Sequence, residues 1–178
     1  MSGDGVLDGG CDCGQVRYRL QGPPLVVHAC HCRWCQRETG GPFAWNAMIE
    51  ADRLQPLVGK AVAVVTPSDS GLGQRVHRCP RCWLALWSHY AGSGPAVAFV
   101  RVGTLDEPER LPPDVHIFTA SRQPWLPWPP AALAVPEYYE RDEVWRPECL
   151  ARRQALLPQI ERWQAERDAH VAAGRPVW

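Results

Sequence analysis

Two cysteine pairs decide the fold of this chain: "GGCDCG" at residues 9–14 and "CPRC" at residues 79–82. In a straight strand the two thiols of a CxC pair point to opposite faces, but the flanking glycines let the chain turn and bring both sulfurs together. The CxxC pair has the ordinary spacing of a zinc knuckle, and two such pairs supply the four thiolates of a closed tetrahedral zinc site. We therefore predict a structural zinc that links distant parts of the chain. Its predicted ligands are Cys11, Cys13, Cys79 and Cys82.

The remainder of the first 120 residues predicts a mainly β domain. Its apolar runs are short, alternating or continuous, and are separated by turn sequences such as "GPP", "TPSDSG" and "AGSGP". Short strands at this spacing are typical of an all-β domain. The predicted strands cover residues 15–20, 43–49, 60–65, 74–78, 84–90, 96–102 and 114–119.

The last third of the chain predicts an extended strap followed by a helix. Residues 121–136 contain five prolines, so we expect them to run extended, with Trp125 and Trp128 packed on the β domain. Pro158 is the expected first residue of a C-terminal helix, and Gly174 is its expected cap. We predict that this helix packs on its own domain or on a second copy of the chain, as in a homodimer.

The composition indicates an ordinary globular chain in a reducing compartment. Its 178 residues contain 19 basic and 19 acidic side chains, a balance that argues against nucleic acid and membrane surfaces as partners. The N-terminus has no apolar run typical of a signal peptide, and no run is long enough to span a membrane, so we predict a cytoplasmic location. Cysteines normally stay reduced there, so eight of them favour metal binding over disulfides.

Three of the remaining cysteines, Cys30, Cys32 and Cys35, lie within six residues in "CHCRWC". Three protein ligands and one open position are the pattern of a catalytic zinc site. Two alternatives stay open, namely a redox pair of Cys32 with Cys35, and a site closed by a further side chain. The candidates for that fourth ligand are His28, His31, His77, His89 and Cys149.

The predicted open site favours a thiol as its substrate. A zinc ion held by three thiolates is soft and electron-rich, so its best fourth ligand is another sulfur, whose pKa the metal lowers. The same electron donation makes such an ion a poor activator of water. We therefore predict that the site captures and positions a small thiol.

The chain resembles the family of glutathione-dependent formaldehyde-activating enzymes, which also includes centromere protein V (CENP-V). The similar segments follow the family's order over roughly residues 8–128 and read "GGCDCGQVRY", "CHCRWCQRETGGPF", "RCPRC" and "VGTLDEPERLPPDVHIFTASRQPW". The resemblance implies a β-tent zinc-binding fold with two zinc ions per chain, one structural and one catalytic. It assigns the structural ion to the two cysteine pairs and the catalytic ion to Cys30, Cys32 and Cys35.

The resemblance also implies an activity, that of a carbon–sulfur lyase handling the adduct of formaldehyde and glutathione. We expect the β domain to cover residues 8–136 and a helical extension to cover residues 137–178. One departure is Trp83, because the family usually has glycine after the last structural cysteine. The alternative function is a non-catalytic binding module in which both metals are structural.

Residues around the trio supply further candidates for the site. Gly40 and Gly41 can let backbone amides approach a bound peptide, and Arg33 and Arg37 are placed to bind a glutathione carboxylate. Each also has an ordinary alternative, a tight turn for the glycines and a solvated surface for the arginines. Weaker candidates for proton transfer are His31 and Glu38. Weaker candidates for a pocket wall are Trp34, Trp45 and Trp125.

Overall fold

A computed structural model describes residues 5–68, 70–127 and 131–178. The strands of these residues are β1 (Val6–Gly10), β2 (Arg17–Gln21), β3 (Val26–Cys30), β4 (Ala44–Glu50), β5 (Leu54–Val58), β6 (Val62–Thr66), β7 (Gln74–Arg78), β8 (Ala85–Tyr90), β9 (Val97–Arg101) and β10 (Val115–Ile117). The helices are α1 (Arg33–Thr39), α2 (Arg141–Val144) and α3 (Pro147–Ala172).

The strands form two sheets. The smaller sheet has the order β1-β2-β5, and the larger has the order β10-β3-β4-β9-β8-β7-β6. Neighbouring strands are antiparallel except β3 and β10, which run parallel. The predicted fold class, mainly β with a C-terminal helix and the cysteine clusters of a β-tent zinc-binding fold, is confirmed.

Each of the seven predicted strands overlaps an observed one, and three strands were not predicted. All five residues of β3 are buried, so its sequence shows no alternation of apolar and polar side chains. Strand β5 contains Pro56, which is tolerated because β5 lies at the edge of the smaller sheet. Strand β1 ends in two glycines, which weaken a strand signal.

The strands β3 and β4 of the larger sheet are buried on both of their faces. On one face the larger sheet packs against the smaller sheet, where Tyr18 and Ile49 lie in the shared core. On the other face Met48 packs in a second core with Trp145 and Ile160 of the C-terminal segment. Met48 and Ile49 are neighbours on β4, and successive residues of a strand point to opposite faces. The C-terminal segment thus shares a core with the β domain, while the division at residues 136 and 137 stays a prediction.

Helix α3 begins earlier than predicted, at Pro147, and Pro158 lies in its interior. The expectation that Pro158 opens the helix is therefore wrong. Pro147 takes the first helical position, where the missing N–H has no helical partner in any case. Burial of Ile160 helps to hold the helix together beyond its interior proline. The expected cap is confirmed, because Gly174 follows the helix in the left-handed conformation (φ 65°).

Helix α3 packs on its own domain, at the turn that leads into β9. The Trp163 indole donates a hydrogen bond to the Ala91 carbonyl at 2.8 Å, and its ring packs against Gly94. A homodimer stays a prediction. Among the residues that the structure describes, no helix has the length and apolarity that crossing a membrane requires.

The strap pairs with the larger sheet through its backbone. The N–H of Val135 donates to the His116 carbonyl at 2.9 Å, and Ala134 forms a parallel bridge with His116. Trp125 is 67% exposed, so the prediction that it packs on the β domain is wrong. The prediction for Trp128 falls outside the described residues.

Candidate metal centres and active site

The four-cysteine cluster joins the two cysteine pairs into one set of thiols. The sulfurs of its four members all lie within 4.8 Å of one another. The Cys13 sulfur lies 3.5 Å from that of Cys11 and 3.6 Å from that of Cys79. A zinc ion with Zn–S distances of about 2.3 Å separates its tetrahedral ligands by about 3.8 Å. Donor type and spacing therefore fit zinc. The cluster consists of Cys11, Cys13, Cys79 and Cys82.

Backbone groups hold these sulfurs in place. The chain turns after β1 at Gly14, whose φ of 72° suits glycine. The N–H of Val16 donates to the Cys11 sulfur at 3.2 Å, and the N–H of Arg81 donates to the Cys79 sulfur at 3.4 Å. Such bonds favour the thiolate form that a metal requires.

Trp83 keeps the turn after the CxxC pair in a conformation that favours glycine. Its φ is 61°, and its N–H donates to the Cys79 carbonyl at 3.0 Å. A non-glycine residue pays about 1–2 kcal/mol for this left-handed conformation. Tryptophan at this position thus strains the turn without preventing the cysteines from meeting.

The three-cysteine cluster lies at the junction of β3 and α1. Cys30 is the last residue of β3, Cys32 caps the N-terminus of α1, and Cys35 lies in the first turn of that helix. Their sulfurs lie within 4.8 Å of one another, and the N–H of Cys35 donates to the Cys32 sulfur at 3.3 Å. The strand end and the first helical turn suffice to assemble this cluster.

The pKa values of the three thiols are shifted in different directions. Hydrogen bonds from the Cys30 and Cys35 thiols hold the pKa of Cys32 well below its ordinary value. The bond to Cys32 raises the pKa of Cys30, and bonds to Cys30 and Cys32 raise that of Cys35. In the metal-free protein Cys32 is therefore the first thiolate. The set of soft sulfur donors suits zinc.

The three-cysteine cluster opens on a pocket of about 270 Å³, and all three of its cysteines line that pocket. A three-ligand metal site needs space for a fourth, exchangeable ligand, and the pocket supplies it. Most of the remaining lining is apolar. Its aromatic members are Trp34, Tyr90, Phe99, Phe118 and Tyr138.

Two histidines considered as a fourth ligand have other partners. His28 lines the pocket, but its Nε2 forms a hydrogen bond of 2.6 Å with the Tyr139 hydroxyl. Burial lowers the pKa of His28 to about 4, so its ring is neutral near pH 7. The Nε2 of His31 lies 3.0 Å from Nδ1 of His116. Among the described residues, neither histidine belongs to a group of side chains that could hold a metal ion.

The other candidate ligands also lie outside the three-cysteine cluster. The Cys149 thiol is fully buried in the second core, 3.9 Å from the Pro24 carbonyl. The His77 ring stacks on Trp87, a residue of the core between the two sheets. The His89 side chain forms a hydrogen bond with the Val97 carbonyl. Within the described parts of the chain, then, no fourth protein ligand joins the trio. The redox alternative stays open, because Cys32 and Cys35 are free thiols.

The predicted glutathione contacts lie on or beside α1. Arg33 and Arg37 are exposed on that helix, and neither lines the pocket. Gly40 ends the helix in the left-handed conformation (φ 68°), and Gly41 follows it. The role of these residues in binding glutathione stays a prediction.

Glu38, a candidate for proton transfer, is an ion-pair residue. Its carboxylate accepts hydrogen bonds from Arg78 at 2.7 Å and from Arg101 at 2.5 Å. Arg101 also donates to the Asn46 side-chain oxygen at 2.8 Å. The network connects α1, which carries Cys35, to β7, which leads directly to the CxxC pair.

Of the three tryptophans considered for the pocket wall, Trp34 lines it. Trp45 packs against the core between the sheets and donates to the Leu111 carbonyl at 3.0 Å. Trp125 is exposed and does not line the pocket.

Several pocket residues were missed in the sequence. Tyr138 lies beyond the segments that carry the resemblance, although the adjacent pair of tyrosines at residues 138–139 is a visible signal. Phe118 adopts a left-handed backbone (φ 56°), a strain that sequence does not show and that is common at functional sites. Asn46 and Phe99 lie on β4 and β9, where periodicity predicts burial but not a pocket.

The family described as "Glutathione-dependent formaldehyde-activating enzyme" matches residues 6–121. Because this match spans well over half of the 178 residues, the chain belongs to that family.

One curated relative agrees with this assignment, and one solved structure shows a weaker likeness. A protein of Halomonas elongata, named provisionally as a glutathione-dependent formaldehyde-activating enzyme, is 30% identical over 127 residues, which cover 68% of this chain and 80% of that protein. A crystal structure of a Rhodobacter sphaeroides protein is 21% identical, with a TM-score of 0.43, and the alignment covers 56% of this chain and 87% of that one. At that level of likeness it carries no argument.

Proposed function

We propose that this protein is a zinc-dependent enzyme of the carbon–sulfur lyase class that forms or breaks adducts of a thiol with an aldehyde. Glutathione and formaldehyde are the substrates that the family's name implies. The observation that carries the proposal is the three-cysteine cluster, which opens on a pocket and gains no fourth protein ligand from the described residues. The proposal includes two zinc ions per chain, one in each cysteine cluster.

The reaction that fits the pocket is addition of a thiol to a carbonyl group and its reversal. A zinc ion held by Cys30, Cys32 and Cys35 supplies a binding position for the substrate sulfur and lowers the pKa of the substrate thiol. In the forward direction a sulfur–carbon bond forms, the carbonyl π bond breaks, and the proton of the thiol ends on the oxygen. In the reverse direction the same bonds change in the opposite order, and no oxidant or reductant is needed.

Asn46 is the residue that we assign to the carbonyl oxygen. It lines the pocket, and its side-chain oxygen already accepts a hydrogen bond from Arg101. That bond fixes the amide orientation and leaves the N–H groups as donors for an oxygen that becomes negatively charged. Asn46 thus polarises the aldehyde and stabilises the developing alkoxide.

The charged ends of glutathione require groups outside the pocket. Arg33 and Arg37 are the cations that we propose for its carboxylates, since both are exposed on the helix that carries Cys35. Gly40 and Gly41, at the end of the same helix, give the peptide backbone access to main-chain amides.

The proposal includes a setting for this chemistry. A reducing cytoplasm keeps seven thiols available as metal ligands. The balanced charge of the chain fits small-molecule substrates better than nucleic acid or a membrane surface. A homodimer stays compatible with these roles, because no residue of a second copy is required for them.

The test is titration of the cobalt-substituted protein with glutathione, together with an exchange assay. We expect thiolate-to-cobalt absorption to grow as a further sulfur binds, and the zinc protein to accelerate exchange between free and glutathione-bound formaldehyde measured by NMR. Cys32→Ser should abolish both responses. A parent spectrum that already shows four sulfurs at both sites and ignores glutathione would establish instead a binding module with two structural metals.

A further inference from the structure

The pocket beside the three-cysteine cluster is lined almost entirely by apolar surface. Apart from the cysteines, its described lining consists of aromatic rings, Ile117 and a few polar groups, none of which carries a charge near pH 7. Glutathione carries two carboxylates and an ammonium group, and burying such charges unpaired is strongly unfavourable. The bulk of the tripeptide therefore does not occupy this pocket.

Four polar side chains of the lining already have partners, whereas the buried Trp34 indole N–H has none among the described residues. His28 bonds the Tyr139 hydroxyl, the Ser68 and Ser70 hydroxyls bond each other at 3.0 Å, and the Asn46 oxygen accepts from Arg101. Only the Asn46 amide, which we assign to the carbonyl oxygen, has a part in the proposed reaction. Apart from the Asn46 amide and the Trp34 N–H, what the pocket offers a ligand is mainly apolar contact.

The size of the pocket exceeds what formaldehyde needs. The volume is about 270 Å³, whereas a cavity of about 150 Å³ lined by apolar side chains is enough to bind benzene. A one-carbon aldehyde would leave most of this apolar space to water that finds few hydrogen-bonding partners. A pocket of this kind gains free energy from an apolar ligand group the size of an aromatic ring.

We propose that the pocket binds the apolar substituent of a larger aldehyde, an aryl or alkyl group of about six to ten non-hydrogen atoms, joined to the thiol as a hemithioacetal. This inference rests on the proposed function, whose bond changes it keeps. The sulfur lies at the three-cysteine cluster, the aldehyde carbon next to it, and the substituent among the rings.

Tyr138 is the specificity-determining residue that the structure assigns to this pocket. It lies beyond residues 6–121, the part of the chain that matches the family, so this wall belongs to the C-terminal segment. Its ring stacks on Tyr139 at a centroid distance of 4.8 Å and meets His28 edge to face at 6.0 Å. Because Tyr138 is 44% exposed, its ring can be removed without opening the core.

Binding of two glutathione thioethers to the zinc-loaded protein tests the inference. Isothermal titration calorimetry with S-benzylglutathione and S-methylglutathione gives the ratio of their affinities, which we expect to be about tenfold or more in favour of benzyl. Tyr138→Ala should reduce this ratio about threefold or more, because an aromatic contact is lost. Tyr138→Phe should preserve the ratio, and so should Trp125→Ala, an exposed aromatic residue outside the pocket.

A ratio near one in the parent overturns the inference, and an unchanged ratio in Tyr138→Ala overturns the assignment of Tyr138. Exchange of formaldehyde on glutathione, measured on the same preparation, distinguishes failure of this inference from failure of the proposed function. If that exchange is accelerated and the ratio is near one, the proposed function stands and the larger aldehyde is excluded. If neither thioether binds and no exchange occurs, both fail.

Discussion

The two cysteine clusters use the same ligand chemistry in opposite ways. The four-cysteine cluster takes its sulfurs from two segments separated by 66 residues between Cys13 and Cys79, and Cys11 and Cys79 pack in the core between the sheets. The three-cysteine cluster takes its sulfurs from one strand end and one helical turn, and Cys30 and Cys35 pack in the core on the other face. One cluster is complete as a tetrahedral ligand set, and the other faces a pocket.

Under the proposed function, ligand count and chain separation, rather than ligand type, distinguish the structural site from the reactive one. A complete set that links distant segments converts metal binding into folding free energy. A local, incomplete set contributes little to closing the chain and leaves a coordination position for substrate. The four predictions that follow test this contrast, from the largest expected effect to the smallest.

Cys79→Ser removes one ligand of the four-cysteine cluster and tests whether that cluster is structural. We expect loss of cooperative folding, because structural zinc contributes on the order of 10 kcal/mol in small zinc domains. Thermal melting followed by circular dichroism and zinc content by mass spectrometry measure the effect. The control is Cys149→Ala, a buried cysteine of neither cluster, which should keep both zinc ions and lose only about 1–2 kcal/mol to a small cavity. Equal melting of the two variants would contradict the assignment.

Glu38→Gln should disturb both clusters at once. The change leaves Arg78 and Arg101 without their shared carboxylate, and Arg101 is only 10% exposed at its side chain. Removing one partner of a buried ion pair costs about 3 kcal/mol or more, which denaturant unfolding can measure. The matched control is Glu107→Gln, whose pair with Arg110 is exposed and should contribute less than about 1 kcal/mol. A loss no larger than in the control would show that the network is dispensable.

Cys32→Ser should sharpen the contrast by separating metal binding from folding. We expect one zinc ion to be lost or weakened while the other is retained and the melting temperature changes by only a few degrees. The reason is that the trio spans six residues and closes little chain entropy. Global unfolding of this variant would mean that the three-cysteine cluster is structural as well.

Trp83→Gly should relieve strain at the four-cysteine cluster. The matched comparison is Trp83→Ala, because alanine removes the same ring but keeps the penalty for a positive φ. We expect the glycine variant to be more stable than the alanine variant by about 1 kcal/mol in denaturant unfolding. The opposite order would mean that the turn does not hold a left-handed backbone in solution.

Sequence alone predicts the parts of this molecule that depend on local chemistry. Cysteine spacing predicts both clusters, and alternation of apolar residues predicts strands such as β4 and β7. Strand β3 escapes prediction because both of its faces are buried, which removes the alternation.

The pocket depends on which distant residues the fold brings together. Phe99, Phe118 and Tyr138 come from separate segments, and no spacing rule connects them to Cys30. Pro158 misleads for a similar reason, since tertiary packing holds α3 together on both sides of it. Helix propensity describes a segment in isolation, whereas contacts with neighbouring segments decide whether the segment is helical in the folded protein.

The separation of the ligands along the chain also sets an order of events during synthesis. The trio is complete when Cys35 has left the ribosome, whereas the other cluster must wait for Cys82. At about 5–20 residues per second, the 47 residues between these positions (82 minus 35) take about 2 to 9 seconds. During that interval the nascent chain contains all three thiols of the trio, while Cys11 and Cys13 have no partners from the CxxC pair.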